Sequence, residues 1–248
     1  MTAPALTHPG ISPLLRLRVE LRRLTNTRFS QGLLLGVGLF SIAVVWFYAT
    51  TIAEPGASMY EYMVVGGQFI GFAVQIIAVL AMSADWRHRT ALTTYALDPK
   101  RTRVLLSRLA ALWLLGIAFT ALAAAMGAVA GALAGATFAG ASDVVSACFW
   151  LAVHVTISVL IGAALGAAFQ SVAPALVIAL IGPQMVPSII AFLSEEAARW
   201  TDYLNPLTAA ITGREFTGEV APFAASLVLW ILLPLAIGIW RNLRQDVG

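Results

Sequence analysis

The sequence predicts an all-α, polytopic membrane protein with six transmembrane helices, and three observations lead to this class. Of the 248 residues, 60% are hydrophobic and only 11% are charged, too few to cover a water-soluble domain of this size. The mean hydropathy is +0.86. The apolar residues form runs of about 20 rather than alternating segments of about ten, which indicates helices and not a membrane β-barrel.

Residues 1–28 are predicted to be a cytoplasmic N-terminus that ends in an amphipathic connecting helix. Ser12-Pro13 supplies an N-cap and a first-turn proline. The leucines that follow form one stripe, and the charged residues lie outside it: Leu14, Leu17, Leu21 and Leu24 against Arg16, Arg18, Glu20, Arg22 and Arg23. Two interpretations stay open, a helix in the headgroup plane with its arginines near anionic lipid, or an ordinary basic flank of the first span.

Residues 29–241 are predicted to form the six-helix transmembrane domain, followed by a cytoplasmic tail at 242–248. The spans are expected at about 29–51, 62–83, 104–130, 144–168, from 174 onward, and 221–240. Glycines at small-xxx-small spacing predict close helix contacts at Gly32/Gly36, Gly127/Gly131/Gly135 and Gly162/Gly166.

Few polar residues lie inside these spans. Gln68 and Gln75 share one face of the second span, His154 lies in the fourth, and Gln184 lies in the fifth. Each glutamine is either a hydrogen-bonding link between helices or part of the lining of a translocation path. His154 is either a structural, hydrogen-bonded histidine or a proton relay, although no Asp or Glu lies in a predicted span to pair with it.

The fifth span contains two prolines four residues apart, Pro183 and Pro187. Each proline removes one backbone hydrogen bond near the middle of the helix. We therefore expect this span to kink or break, and we interpret the two prolines as a candidate kink or gate.

Residues 194–220 are predicted to form an outer re-entrant or interfacial region before the last span. The segment is too polar to cross a membrane and too apolar for a plain loop, because aromatic and aliphatic residues alternate with charges. The sequence predicts short helices that dip into the outer leaflet, with Asn205-Pro206 as the turn between them. Their apolar members are Trp200, Tyr203, Leu204, Leu207, Ile211 and Phe216.

The most polar part of the chain is residues 85–108, which hold six of the 15 Lys and Arg residues. Asp85 opens a possible short helix to about residue 97, and Asp98-Pro99 predicts a break before the third span begins. We interpret the first half of this stretch as a cytoplasmic coupling region on which a separate, ATP-hydrolysing subunit pushes.

The distribution of basic residues predicts the orientation of the chain. With both termini, residues 85–108 and the turn after Phe169 on one side, that side holds 13 of the 15 Lys and Arg residues. The positive-inside rule makes it cytoplasmic. Topology also accounts for the net charge of +3, so nucleic acid is not expected as a partner. The bias of 14 Arg to one Lys suggests a bacterial genome, and thus the inner membrane.

The sequence lacks the motifs that several common kinds of enzyme and metal site require. The only lysine, Lys100, stands in the context DPKRT, so the chain has no GxxxxGK[ST] loop for ATP. HExxH, GxSxG and CxxC motifs are also missing, and the single Cys148 allows neither an intrachain disulfide nor a cysteine metal cluster. We therefore expect a transport protein that is not itself an enzyme and that holds no cofactor or metal of its own.

The order of elements across residues 14–241 resembles the ABC-2 type permeases, the membrane subunits of ABC exporters. That family has an amphipathic connecting helix before the first span, a coupling helix after the second, and short re-entrant helices before the sixth. Its coupling stretch often shows an acid, a basic run and a Thr. A Pro followed by basic residues comes next, and then a Lys or Arg that enters the third span. In this chain these positions are Asp85, Arg87-His88-Arg89-Thr90, Asp98-Pro99-Lys100-Arg101 and Arg108.

The resemblance implies alternating access in a dimer of permeases, homodimeric or heterodimeric, with ATP and Mg²⁺ bound by two cytoplasmic ATPase subunits. It also implies that the ATPase contacts Asp85, Arg87, His88, Arg89, Thr90 and Leu92. A substrate path lined by Phe, Trp, Leu and a few amides would suit an amphipathic or hydrophobic drug, lipid or peptide. Two alternatives are a stand-alone channel or secondary carrier, with its pore lined by the residues Gln68, Gln75, His154 and Gln184, and a non-transporting membrane scaffold.

Overall fold

A computed structural model of the chain describes residues 12–26, 28–54, 56–87, 101–136, 140–211 and 220–244. All regular structure in these ranges is helical, and six helical segments are long and apolar enough to cross a membrane. The predicted all-α architecture with six membrane-length helices is confirmed, and the chain is a multi-pass membrane protein.

The helices are numbered in chain order: α1 (Pro13–Thr25), α2 (Arg28–Phe47, continued by a π-helical turn, Tyr48–Ile52), α3 (Met59–Arg87), α4 (Arg101–Leu133), α5 (Ala141–Phe169), α6 (Val172–Ala191), α7 (Glu195–Arg199), α8 (Leu204–Ile211), α9 (Val220–Leu227, continued by a π-helical turn, Val228–Leu232) and α10 (Leu233–Arg244). The six membrane-length segments are α2, α3, α4, α5, α6 and the continuous α9–α10 helix.

Helix α3 lies at the centre of the bundle, between α4 and α5. A methyl group at Gly127 of α4 would overlap the carbonyl of Tyr62, and one at Gly162 of α5 would overlap the carbonyl of Gln75. The backbones therefore touch, as small residues at a helix interface allow. Close approach is confirmed at four of the predicted glycines, namely Gly127, Gly131, Gly162 and Gly166.

Three other glycines do not make the predicted contacts. Gly135 lies beyond the end of α4 with φ +77°, and no atom of the described part of the chain lies within 4 Å of the place where its side chain would be. Gly32 and Gly36 are exposed on α2 and likewise meet no neighbour among the described residues. The spacing alone was misleading here, because Gly135 ends a helix and the face of α2 that carries the other two points away from the bundle.

Helix α1 packs on α4 through an ion pair between Glu20 and Arg108. The Arg108 Nε lies 3.3 Å from Glu20 Oε2, and only 7% of Glu20 and 5% of Arg108 is exposed. The sequence places Glu20 outside the leucine stripe with the arginines of α1, but unlike Arg18 and Arg22 it is buried, because it pairs with a buried arginine. The leucines of the α1 stripe do not share one environment. Leu24 packs on the core, whereas Leu14 is 72% exposed.

Helix α3 begins at Met59, three residues before the predicted start of the second span. Ser58 and Glu61 form a capping box, in which the Glu61 N–H donates to Ser58 Oγ at 3.3 Å and the Ser58 N–H to Glu61 Oε1 at 3.5 Å. The Tyr48 hydroxyl also donates to Glu61 Oε2 at 2.9 Å. The Glu61 carboxylate therefore caps the N-terminus of α3 and links it to the π-helical turn that continues α2.

The outer region contains the two short helices α7 and α8, but the turn between them is not Asn205-Pro206. The turn is formed by residues 200–203, and Asp202 caps α8 by accepting hydrogen bonds from the Leu204 and Asn205 N–H groups at 2.9 and 3.1 Å. Pro206 lies in the first turn of α8, where a missing N–H leaves no helical bond unmade.

Three of the apolar residues of this region are buried against the bundle. Tyr203 is 3% exposed, and Leu207 and Ile211 are each 1% exposed within the largest core cluster. The Trp230 indole N–H donates to the Thr201 carbonyl at 2.8 Å, which joins the turn before α8 to the last span. These three residues pack on the bundle because α8 covers α5, and the re-entrant or interfacial placement of the region stays a prediction.

Candidate functional site

A cavity of about 540 Å³ lies between α3, α5, α6 and the short helices α7 and α8. Three of the four predicted path residues, Gln68, His154 and Gln184, line it. Both predicted gate prolines, Pro183 and Pro187, line it as well. Five predicted residues from three separate spans thus meet at one site.

Helix periodicity explains which residues of each helix reach the cavity. On α6, Pro183, Pro187 and Ala191 recur every four residues, and Gln184 and Ser188 flank them on the same side. From α3, the residues Gln68 and Phe72 contribute with the same spacing. The outer short helices and their flanking turns complete the wall with Glu195, Ala198, Arg199, Asp202, Leu204, Asn205 and Thr208.

The cavity changes in character from its buried side to its exposed side. His154 is 4% exposed and lies edge-on to Phe72, with ring centroids 6.4 Å apart. At the opposite side, the exposed Glu195 and Arg199 and the half-buried Asp202 add charge. Such a gradient suits a ligand with one apolar and one polar end.

His154 makes a hydrogen bond that identifies its tautomer. Its Nε2 lies 3.0 Å from the backbone carbonyl oxygen of Gln68. A carbonyl can only accept, so Nε2 carries the hydrogen in this contact and Nδ1 is left as the acceptor in the neutral ring. The ring fits only because residue 71 is glycine, since a methyl group there would overlap Nε2. This bond matches the structural interpretation of His154, and the proton-relay role stays a prediction.

Gln75 does not line the cavity. It is 2% exposed, and its side-chain amide donates to the backbone carbonyl of Ala179 in α6 at 2.7 Å. That carbonyl would normally accept from the N–H of residue 183, which is a proline and has none. This hydrogen bond is the link between helices that the sequence allowed for Gln75, and a path-lining role for Gln75 stays a prediction.

The same bond explains why α6 does not break. The helix runs without interruption from Val172 to Ala191, with Pro183 and Pro187 inside it. Neighbouring side chains can satisfy carbonyls that a proline leaves free in a membrane helix. Gln75 does so here. The break that we expected as one of two outcomes is therefore not found, and the kink stays a prediction.

Of the predicted coupling residues, two lie in a described helix and the others lie outside the described residues. Asp85 and Arg87 belong to the last turn of α3, but their side chains lie outside what the structure describes. His88, Arg89, Thr90 and Leu92 lie in a segment that is outside the described residues altogether, as does the predicted break at Asp98-Pro99.

Sequence reasoning missed the acidic and hydroxyl residues of the cavity wall. Ser188 could have been found from its spacing of four residues from Gln184, which places both on one face of a helix. Asp202 could not be found from helix spacing, since it lies in a turn.

Tyr203, next to Asp202, is buried. Its burial, together with the Asp202 charge beside it, raises the pKa of the Tyr203 hydroxyl, so the hydroxyl stays neutral.

The described part of the chain brings no three His, Cys, Asp or Glu side chains together at a spacing suited to a metal ion. The chain matches no protein-family model and no curated protein. Fold and cavity together define a helical, multi-pass membrane protein with an amphipathic cavity enclosed by α3, α5 and α6.

Proposed function

We propose that this chain is the transmembrane permease subunit of an ATP-driven, ABC-2 type exporter. It moves an amphipathic or hydrophobic substrate, such as a drug, a lipid or a peptide, out of the cytoplasm or the inner leaflet by alternating access. A separate cytoplasmic ATPase subunit binds ATP and Mg²⁺ and supplies the energy. A second permease copy completes the transporter in the bacterial inner membrane, with both termini of this chain in the cytoplasm.

The observation that carries the proposal is the continuity of α3. This single helix spans Met59–Arg87 and contains a cavity residue, Gln68, and the link to α6, Gln75. It ends at the polar stretch 85–108, where the family resemblance places the ATPase contact. A displacement applied at that end reaches the cavity wall through one uninterrupted element, which is what a coupling mechanism needs.

The chemistry of the cavity supports the substrate class. Phe72, the two prolines, Ala191 and Leu204 offer apolar contacts, whereas Gln68 and Gln184 offer amides. Binding sites for small amphipathic molecules combine a mostly apolar wall with a few polar groups that orient the ligand.

Two experiments test the proposal. The tagged chain should co-purify with a P-loop ATPase, and the reconstituted pair should move a fluorescent amphiphile across vesicles in an ATP-dependent way. Reversing charge in the coupling region, Arg87→Glu with Arg89→Glu, should abolish stimulated ATP hydrolysis without changing the unfolding midpoint. The control is Arg18→Glu with Arg22→Glu, which makes the same charge change on exposed positions of α1.

The alternatives give different results. A secondary carrier would transport alone in liposomes under an ion gradient, and a scaffold would bind a partner without moving any substrate. Either outcome would replace the exporter assignment.

A further inference from the structure

Polar side chains of the cavity between α3, α5 and α6 spend their hydrogens on the protein itself. The Gln184 side-chain amide donates to the Leu180 carbonyl at 3.3 Å, and the Ser188 hydroxyl donates to the Gln184 carbonyl at 2.8 Å. The His154 Nε2–H donates to the Gln68 carbonyl at 3.0 Å. What these contacts leave over for a ligand is chiefly acceptors, namely the Gln184 amide oxygen, the Ser188 hydroxyl oxygen and His154 Nδ1.

Acceptors on the buried side of the cavity lack a donor within the described part of the chain. His154 is 4% exposed, and no described donor lies within hydrogen-bond distance of its Nδ1. The Pro183 carbonyl loses its usual helical donor, because residue 187 is also a proline. Since buried polar atoms in proteins are normally paired, such a wall favours an occupant that donates hydrogen bonds.

The charged residues give the wall a negative balance. Glu195 and Asp202 contribute carboxylates, and Arg199 contributes a guanidinium. That guanidinium pairs at 3.0 Å with Glu196, which does not line the cavity. The Asp202 carboxylate accepts from the N–H groups at the start of α8 and from the Asn205 amide. These donors are uncharged, so the Asp202 charge is not neutralised by them.

We propose that the cavity binds an organic ammonium, a protonated amine attached to an apolar body. This inference rests on the proposed function in taking the cavity as the substrate site, and it narrows the substrate class to amines. An ammonium brings both the positive charge that matches the carboxylates and the N–H groups that the acceptors need. The apolar body packs on Phe72, Pro183 and Pro187.

Other ligand classes fit this wall less well. An anion would be repelled by the negative balance of Glu195, Asp202 and the neutralised Arg199. A neutral ester or ether offers only acceptors, so it would leave the acceptors of the wall without a donor.

The test uses the full-length chain in dodecyl maltoside at neutral pH and probes that share one naphthyl group. Naphthylmethylamine is protonated and carries N–H donors, its N,N,N-trimethyl derivative has the charge without donors, and naphthylacetate has the opposite charge. Equilibrium dialysis against protein-free micelles corrects for partition into detergent. We expect naphthylmethylamine to bind on the order of tenfold more tightly than naphthylacetate, with the trimethyl derivative between them.

Substitutions place the binding in the cavity. Glu195→Gln removes a carboxylate of the wall and should weaken naphthylmethylamine binding by roughly fivefold while it strengthens naphthylacetate binding. Glu54→Gln makes the same charge change at an exposed glutamate outside the cavity and should leave both affinities unchanged. Gln184→Leu removes an acceptor and should weaken the primary ammonium more than its trimethyl derivative. Glu195 and Gln184 are exposed, so these changes leave the packed core intact.

The opposite results would overturn the inference. Equal affinities for naphthylacetate and naphthylmethylamine would exclude charge selection, and equal losses in the Glu195 and Glu54 variants would place the ligand elsewhere. Equal affinities for the primary ammonium and its trimethyl derivative would contradict the role of the acceptors.

Failure of this inference differs from failure of the proposed function. If the reconstituted pair moves a neutral amphiphile with ATP while the chain shows no preference for the ammonium, the exporter stands and the amine is wrong. If the chain binds the ammonium selectively but no ATP-dependent movement occurs, the amine site stands and the exporter is wrong.

Discussion

The amide of Gln75 replaces the backbone donor that Pro183 lacks, by donating to the Ala179 carbonyl at 2.7 Å. Helix α6 therefore receives from α3 a hydrogen bond that it would normally complete within its own backbone. Because Gln75 is buried and Pro183 lines the cavity, this contact joins the core of the bundle to the cavity wall.

The first prediction concerns this substitute bond. Gln75→Met keeps the volume but leaves the Ala179 carbonyl without its donor, which should lower stability by about 1–2 kcal/mol. Pro183→Ala restores an N–H in α6, so the same Gln75→Met change should cost clearly less in that background. Unfolding midpoints of the four proteins in one detergent give the coupling. If the losses of stability in the two single variants simply add in the double variant, Gln75 does not compensate for the N–H that Pro183 lacks.

The second prediction concerns the buried ion pair. Glu20→Gln removes a carboxylate that is paired with the buried Arg108 guanidinium at 3.3 Å and should destabilise the chain by up to about 3–5 kcal/mol. Combining it with Arg108→Met should recover much of the loss, since no buried charge then remains. Thermal unfolding of both variants measures this. The exposed pair Arg199–Glu196, at 3.0 Å, is the control, and Glu196→Gln there should change stability by about 1 kcal/mol or less.

The third prediction concerns the glycines beside α3. Gly127→Ala forces a methyl group against the Tyr62 carbonyl, and separating α3 from α4 should cost roughly 1–3 kcal/mol. Gly36→Ala, in α2 with open space around it, should be neutral or stabilise the helix by up to about 1 kcal/mol. Unfolding midpoints under identical conditions compare the two. A Gly36 variant that is harmed as much as the Gly127 variant would argue against the described packing.

The fourth prediction tests the cavity as a binding site. Ser188→Trp places an indole in the cavity and should weaken binding of a fluorescent amphiphile about tenfold or more, a loss of about 1.4 kcal/mol or more. Ile189→Trp adds the same side chain at the next residue, which is 55% exposed and does not line the cavity. Fluorescence titration of the purified chain measures both. Similar affinities for the two variants would place the binding site elsewhere.

Local patterns were enough to predict the spans, because hydropathy and helix periodicity depend on neighbouring residues alone. They also identified Gln68, His154 and Gln184 as polar exceptions that would line one path, but not that Gln75 would lie outside the cavity that these three line. Which face of α3 meets which face of α6 depends on the packing of the whole bundle, and small-residue spacing identified the contacts at Gly127 but not their absence at Gly36.

Pairings across long stretches of sequence could not be predicted. Glu20 and Arg108 are 88 residues apart, and each taken alone resembles an ordinary charge at a membrane surface. Asn205-Pro206 is ambiguous for another reason, since a proline fits both a turn and the first turn of a helix. The Asp202 cap resolves this choice only once the backbone is in place.

Two prolines four residues apart in α6 have a consequence for how that helix can move. Pro187 deprives the Pro183 carbonyl of its usual donor just as Pro183 deprives Ala179, so α6 carries two such acceptors about 6 Å apart along its axis. The Gln75 amide serves the first of these acceptors. The position of α6 along α3 is therefore fixed at that turn by a polar contact, whereas apolar packing alone would let the helix slide.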